Sequence, residues 1–175
     1  MELDQVLALR STCRAYSDQS VTEEELKAVI LAAQNAPIAW GDEHTSELIV
    51  VREGELLEEI RQAVMLFSKK QNKHTDPFYG AKCIIFFTAT DVSDDHIEYS
   101  NAGCMLENMI LKATDLGLGS TYIWGCLRKL RNNPDIMKKL CLSDGYEILS
   151  ALCIGHAKEE AVSHTVTDKI KVRYI

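Results

Sequence analysis

No apolar run in the chain approaches the roughly 20 residues that crossing a bilayer requires. A membrane-spanning helix is therefore not expected. Nor does the start look like a secretory leader. MELDQVLALR carries acids where a leader needs a basic start and a longer apolar stretch, so the expected compartment is cytoplasmic. Positive charge is in short supply: the net charge is -7. That disfavours loose attachment to nucleic acid or to anionic membrane, since both are polyanions. None of the six cysteines forms a C-x-x-C pair. Most fall in apolar or helical stretches, where a free thiol packs as a small hydrophobe, and no disulfide framework is expected. The histidines lack an H-E-x-x-H spacing. Two polar clusters, Asp42-Glu43-His44 and Asp91 with Asp94, Asp95 and His96, read as solvated loops rather than metal sites. There is no G-x-S-x-G elbow for a serine hydrolase, and no G-K-[ST] ending for a P-loop. Repeats, low-complexity tracts and linkers are also lacking. The 175 residues, 46% hydrophobic, suffice for one globular domain, 1–175, with a real core.

What is present begins with Arg10 to Tyr16, RSTCRAY. Two arginines stand four residues apart, with Ser11 and Thr12 between them. Residues 10, 12, 14 and 16 share a face if the segment is extended, and 10 and 14 do if it is helical. A guanidinium is a fixed fork of N–H donors that matches phosphate or carboxylate, and a hydroxyl adds another donor. A helix end followed by a polar loop explains the same residues. A second basic run, Lys169, Lys171 and Arg173, lies at the far end of an otherwise acidic chain. If the two ends meet, they build one cationic pocket.

The elements follow from periodicity. Residues 2–9 read as a short amphipathic helix. Thr22 and Glu25 form a capping box, with Val21 and Leu26 as a hydrophobic staple. The helix they start carries Leu26, Val29, Ile30 and Ala33 and ends near Asn35 and Pro37. A loop, PIAWGDEHTSE, comes next; Trp40 in it either caps the core or borders a planar ligand. Strands are expected at 48–51, 84–90, 121–123 and 147–154. Helices are expected at 55–70, 97–116 and 134–140, and a loop at 69–77. The helix at 97–116 is apolar around much of its circumference. It carries Ala102, Met105, Leu106, Met109, Ile110, Ala113 and Leu116, widened by Cys104 and Leu111, which suits a core or a subunit interface. GLGS at 117–120 reads as a helix C-cap at Gly117 rather than a phosphate loop. The backbone at Trp124 and Gly125, past a strand end, could meet a ligand. The tail from 157 could add an edge strand. The order of elements predicts α+β or α/β with a central sheet flanked by helices.

Taken in order, these stretches resemble the nitroreductase family over nearly the whole chain. The resemblance rests on Arg10-x-Thr12-x-Arg14-x-Tyr16, the capped helix running into Ala36-Pro37, and the long helix from Asn101. It continues through LGLGSTYIWG, GYEILSALCIGHA and the Lys171-Val-Arg173 ending. It implies an α+β, α/β/α sandwich-like fold with a central, mainly antiparallel sheet flanked by helices, in an intertwined homodimer with FMN at the subunit interface. NADH or NADPH would be the electron donor, and a nitroaromatic, quinone or related compound the acceptor, in a ping-pong mechanism. Carried over by position, Arg10, Ser11 and Thr12 hold the phosphate and ribityl region, joined by Lys171 and Arg173. Arg14 faces the pyrimidine edge of the flavin. The backbone of Ile123, Trp124 and Gly125 donates to flavin N5. Pro37, Ile38 and Ala39 border the flavin from the other subunit. No side chain is assigned as acid, base or nucleophile, because the cofactor carries the redox chemistry. The chain departs from the family at 38–43. Ile38, Ala39, Trp40, Gly41, Asp42 and Glu43 stand where small hydroxyl residues, then asparagine, glutamine, proline and tryptophan, are usual. Asp42 and Glu43 add negative charge near a site that must stabilise reduced flavin. That departure keeps open a non-catalytic flavin- or nucleotide-binding protein on the same fold, or another flavin reduction such as reductive dehalogenation.

Overall fold

The computed structural model describes residues 1–39, 45–68, 72–90, 92–165, 167 and 170–175. Trp40 to His44, Asp91 and Lys169, named above, lie outside the described residues.

Four strands form one sheet in the order β1 (Ser46–Arg52), β4 (Cys83–Ala89), β6 (Glu147–Gly155), β5 (Gly119–Ile123), with every neighbour antiparallel. β4 is buried along its whole length. Its sequence, CIIFFTA, is a run of branched and aromatic residues with no polar alternation, as a strand covered on both faces requires. One face is covered by α2 (Glu23–Gln34) and α4 (Ile97–Asp115). There Leu26, Val29, Leu106 and Met109 pack on Ile85, Leu152 and Ile154. The other face is covered by α3 (Glu55–Val64), α5 (Leu127–Arg131) and α6 (Pro134–Leu140). Leu57, Ile60, Leu127 and Ile136 pack there on Ile84, Phe86 and Ala151. The helix α1 (Leu3–Leu9) packs near the end of α4, where the Met1 amino group pairs with Asp115 at 2.6 Å. The three-layer, antiparallel α+β architecture read from the sequence is thus the one observed.

The capping box at α2 forms as its residues dictate. Glu25 N–H donates to Thr22 Oγ1 at 3.2 Å, and Thr22 N–H donates to Glu25 Oε2 at 2.8 Å. Val21 and Leu26 are buried in the same cluster. Burial alone would raise the Glu25 carboxyl. The hydrogen bonds from the Thr22 backbone and hydroxyl, with His156 alongside, outweigh it and hold the carboxyl below its ordinary value. The folded pKa lies below the unfolded one. The contribution is therefore complete above the ordinary carboxylate range and is lost as pH falls through the depressed value. Thr22→Ala is expected to cost about 1 kcal/mol in urea denaturation at neutral pH, and less in acid, once the pH has fallen through the depressed value of the Glu25 carboxyl.

Four expectations change. The helix read over 55–70 stops at Val64, and a hairpin follows: β2 (Leu66–Ser68) paired with β3 (Lys73–Thr75). In sequence, Phe67 continues the spacing of Ile60 and Val64, and a short apolar run does not tell helix from strand. The five residues of α5 were read as no element; only Leu127 and Leu130, both fully buried, mark it. The described residues of the tail add no edge strand. They turn back along the N-terminal segment instead, with Lys158 N–H donating to Ala15 O and His164 N–H donating to Ala8 O, both at 3.0 Å. Cys104, counted with the apolar stripe of α4, is exposed.

Candidate cofactor site

Arg10 closes α1, its N–H donating to Val6 O at 2.8 Å. The chain then runs extended as a strap over the open edge of the sheet. Thr12 bridges Ser120 of β5 in parallel, and Cys13 N–H donates to Ser120 O at 2.9 Å. Tyr16 bridges Ala157, and Ser17 N–H donates to His156 O at 2.8 Å. The strap thus lies between the start of β5 and the chain leaving β6.

Two glycines permit this approach. A Cβ at Gly119 would stand 2.7 Å from both Cβ and Sγ of Cys13, and one at Gly155 would stand 2.8 Å from Tyr16 Cδ1. The GLGS stretch is therefore a helix end followed by a landing site. Gly117, at φ 76, ends α4 with Gly117 N–H on Thr114 O at 3.0 Å and Leu118 N–H on Ala113 O at 2.8 Å. These two bonds are those of a Schellman cap.

The cations of the strap face outward. Arg10 is half-buried; Ser11, Thr12 and Arg14 are exposed. Among the described residues, no carboxylate pairs with either arginine. The Arg14 guanidinium instead lies 5.9 Å from the centroid of the Tyr79 ring. Tyr79 has φ 56, a left-handed conformation that is strained for a bulky side chain. Asp76 holds that turn, accepting from Phe78 N–H and Gly80 N–H, each at 2.8 Å, and pairing with Arg61.

The far end of β5 carries the other candidate donors. Ile123 is buried, so only its backbone is available; Trp124 and Gly125 are exposed. A Cβ at Gly125 would meet nothing within 4 Å. From Ser120 to Trp124 the strand advances about 13 Å. An elongated ligand can therefore place its anionic end at the strap and its ring at Gly125. Trp124 packs edge-on to Tyr99 at 5.6 Å and lies parallel to Tyr122 at 6.5 Å.

Pro37, Ile38 and Ala39 are fixed elsewhere. Ala39 N–H donates to Asn101 Oδ1 at 2.9 Å. Tyr99 and Asn101 are two residues apart on α4, about 200° around it. The helix thus stands between residues 37–39 and Trp124, and a single chain does not bring them together. A groove lined by Ala36, Ile38, Leu48 and Met105 opens beside them and contains no arginine. Lys171 and Arg173 lie in an exposed terminal segment without regular structure. The tail reaches Ala8 at His164, which brings it near Arg10 before those two residues. Tyr79 belongs to no motif, and Asn101 stands out in the sequence only as the start of the long helix, so neither is marked there for a role at the site. Their roles come from a turn and a helix face that only the fold defines. Among the described residues, no group of three or more His, Cys, Asp or Glu is placed to hold a metal ion. No helix among them is long and apolar enough to cross a membrane.

A four-stranded antiparallel sheet between two helical layers, with a basic strap on its edge, defines an α/β/α ligand-binding class. Residues 7–156 match the model of the nitroreductase family, and the chain belongs to that family. This places it among oxidoreductases. It is similar to a protein of Archaeoglobus fulgidus provisionally named NADH dehydrogenase/NAD(P)H nitroreductase. The two are 24% identical over 162 residues, covering 91% of this chain and 88% of the relative. Among solved structures, a nitroreductase of Bacteroides fragilis with bound FMN gives a TM-score of 0.81 at 19% identity, covering 99% of this chain and all of that one. A nitroreductase of Desulfitobacterium hafniense with bound FMN also gives 0.81, at 24% identity, covering 100% of this chain and 98% of that one. The family and fold expected from the sequence are thereby established.

Proposed function

We propose that this chain is an FMN-dependent oxidoreductase that takes electrons from NADH or NADPH and passes them to a nitroaromatic, quinone or related acceptor in a ping-pong cycle. One observation carries the reading. In a protein of net charge -7, two arginines that pair with no carboxylate among the described residues stand on a strap pinned to the sheet edge. Such an arrangement fits the phosphate of FMN. The FMN-bound relatives and the NAD(P)H-linked name of the Archaeoglobus fulgidus relative support the choice of cofactor and donor.

Bound FMN would supply the hydride chemistry. The chain's own residues position it. Arg10, Ser11 and Thr12, with Lys171 and Arg173, hold the phosphate. Arg14 offers a cation to the pyrimidine edge, where negative charge gathers on reduction. Backbone N–H groups at 123–125 direct the ring. Pro37, Ile38 and Ala39 border it from a second copy, since α4 keeps them from Trp124 within one chain. The working unit is therefore a homodimer, for which the exposed face of α4, with Gly103 and Cys104, is available.

The test is anaerobic reduction of the purified protein loaded with FMN. Rapid bleaching of the flavin by NADH or NADPH is expected. Flavin that binds but stays oxidised with both donors would make this a binding protein. A protein that retains no flavin, even with FMN added, would end the reading. Sedimentation at micromolar concentration is expected to give twice the chain mass.

A further inference from the structure

Between the strap and the edge strand lie two buried hydroxyls that the proposed chemistry leaves without a role. Tyr16 and Thr121 are 5% and 3% exposed. The Thr121 hydroxyl donates to the carbonyl oxygen of Cys13. A hydroxyl has one proton. The 2.7 Å contact between Tyr16 Oη and Thr121 Oγ1 is therefore made with the tyrosine proton. Burial raises the Tyr16 hydroxyl well above its ordinary range, so that proton stays in place. The other acceptor for Tyr16, the Cys153 carbonyl, is at 3.4 Å, beyond the usual range. The relay thus has one direction: Tyr16 to Thr121 to the Cys13 carbonyl.

Cys13 separates Thr12 from Arg14. Its N–H is already held by Ser120, and the relay holds its carbonyl. Both polar groups of this one residue are fixed from β5. Ser11, Thr12, Arg14 and Ala15 are exposed, and the other backbone anchors, Lys158 N–H to Ala15 O and Ser17 N–H to His156 O, lie past Arg14, so between Arg10 and Arg14 the register rests on Cys13. A slip of one residue in an extended segment would turn Arg14 to the opposite face.

We propose that Tyr16 and Thr121 are positioning residues for the anion-binding face of the strap, acting through the Cys13 carbonyl. They touch no ligand. They hold Arg10, Thr12 and Arg14 in one register, so that phosphate meets preformed donors. The proposal rests on the FMN reading above.

The experiment compares FMN with riboflavin, which lacks only the phosphate, by titrating apoprotein and following flavin fluorescence. Wild type is expected to prefer FMN. Thr121→Val keeps the shape and removes the hydroxyl. It is expected to weaken FMN binding by about tenfold or more and riboflavin binding much less. Thr121→Ser, which restores the hydroxyl, is expected to recover the preference. Tyr16→Phe keeps the ring against Gly155 and is expected to shift the preference the same way by a smaller factor. It serves as the second variant if Thr121→Val folds poorly. Equal losses for both flavins in Thr121→Val and Tyr16→Phe would mean a merely structural role and overturn the proposal. So would an undiminished preference for FMN in these variants. If wild type itself binds neither flavin, the FMN reading falls and takes this proposal with it, which the variants' results alone cannot mimic.

Discussion

Replacing Arg10 and Arg173 together by alanine is expected to weaken FMN binding at least about a hundredfold, from two charge-assisted hydrogen bonds at about 1.5–3 kcal/mol each. Arg10 stands at the end of α1 and pairs with no carboxylate among the described residues, which leaves its charge to a ligand. Arg173 lies in the exposed tail, whose path back to Ala8 leads toward the strap. The loss should shrink as ionic strength rises, because the wild-type interaction is itself screened by salt. Isothermal titration at low and high salt reads both effects. An unchanged affinity in the double variant would remove the two termini from the site. Riboflavin serves as the control, since neither arginine has a phosphate to meet there.

Among the described glycines, Gly119→Ala is expected to be the most damaging added methyl. The new Cβ would fall 2.7 Å from Cys13 Cβ, an atom bonded directly to the backbone that cannot swing aside. The strap must lift from β5, breaking the Cys13 to Ser120 bond and disturbing the Tyr16 contacts. Overpacking of this kind costs about 1–3 kcal/mol, measurable by urea denaturation. The consequence for binding should be larger than for folding, because the displaced segment carries both arginines. Adding Cys13→Gly to Gly119→Ala removes the colliding atoms and is expected to restore part of the flavin affinity. If Gly119→Ala binds FMN as wild type does, the strap is not where the phosphate sits.

Elements with a long regular pattern were legible in the sequence. The cap at Thr22, the uninterrupted apolar run of β4, Pro134 starting α6 behind the Asn133 cap, and the stripe of α4 each follow from one local rule. The hairpin after α3 was not legible. Its strands have three residues each: Phe67 in the first continues the spacing of the helix before it, and the second, Lys73-His74-Thr75, has no apolar residue to read. The short α5 failed for the same reason, since two leucines three apart are too little periodicity to read. Within the site, the cations of RSTCRAY were identifiable from their chemistry alone. Tyr79 and Asn101 were not, because each acts through a partner distant in sequence.

By itself the sequence determined the central sheet flanked by helices and the basic segment, because those depend on hydrophobic period, caps and residue chemistry; the order of its stretches gave the family and, through it, the antiparallel sheet. Only the tertiary structure decided how that segment is held. Gly119 reads as part of a helix end and Gly155 as the stop of a strand until the strap is seen crossing them, and Thr121 reads as a strand residue until its hydroxyl meets Cys13. Those roles exist only between residues about a hundred positions apart, where no local pattern can record them.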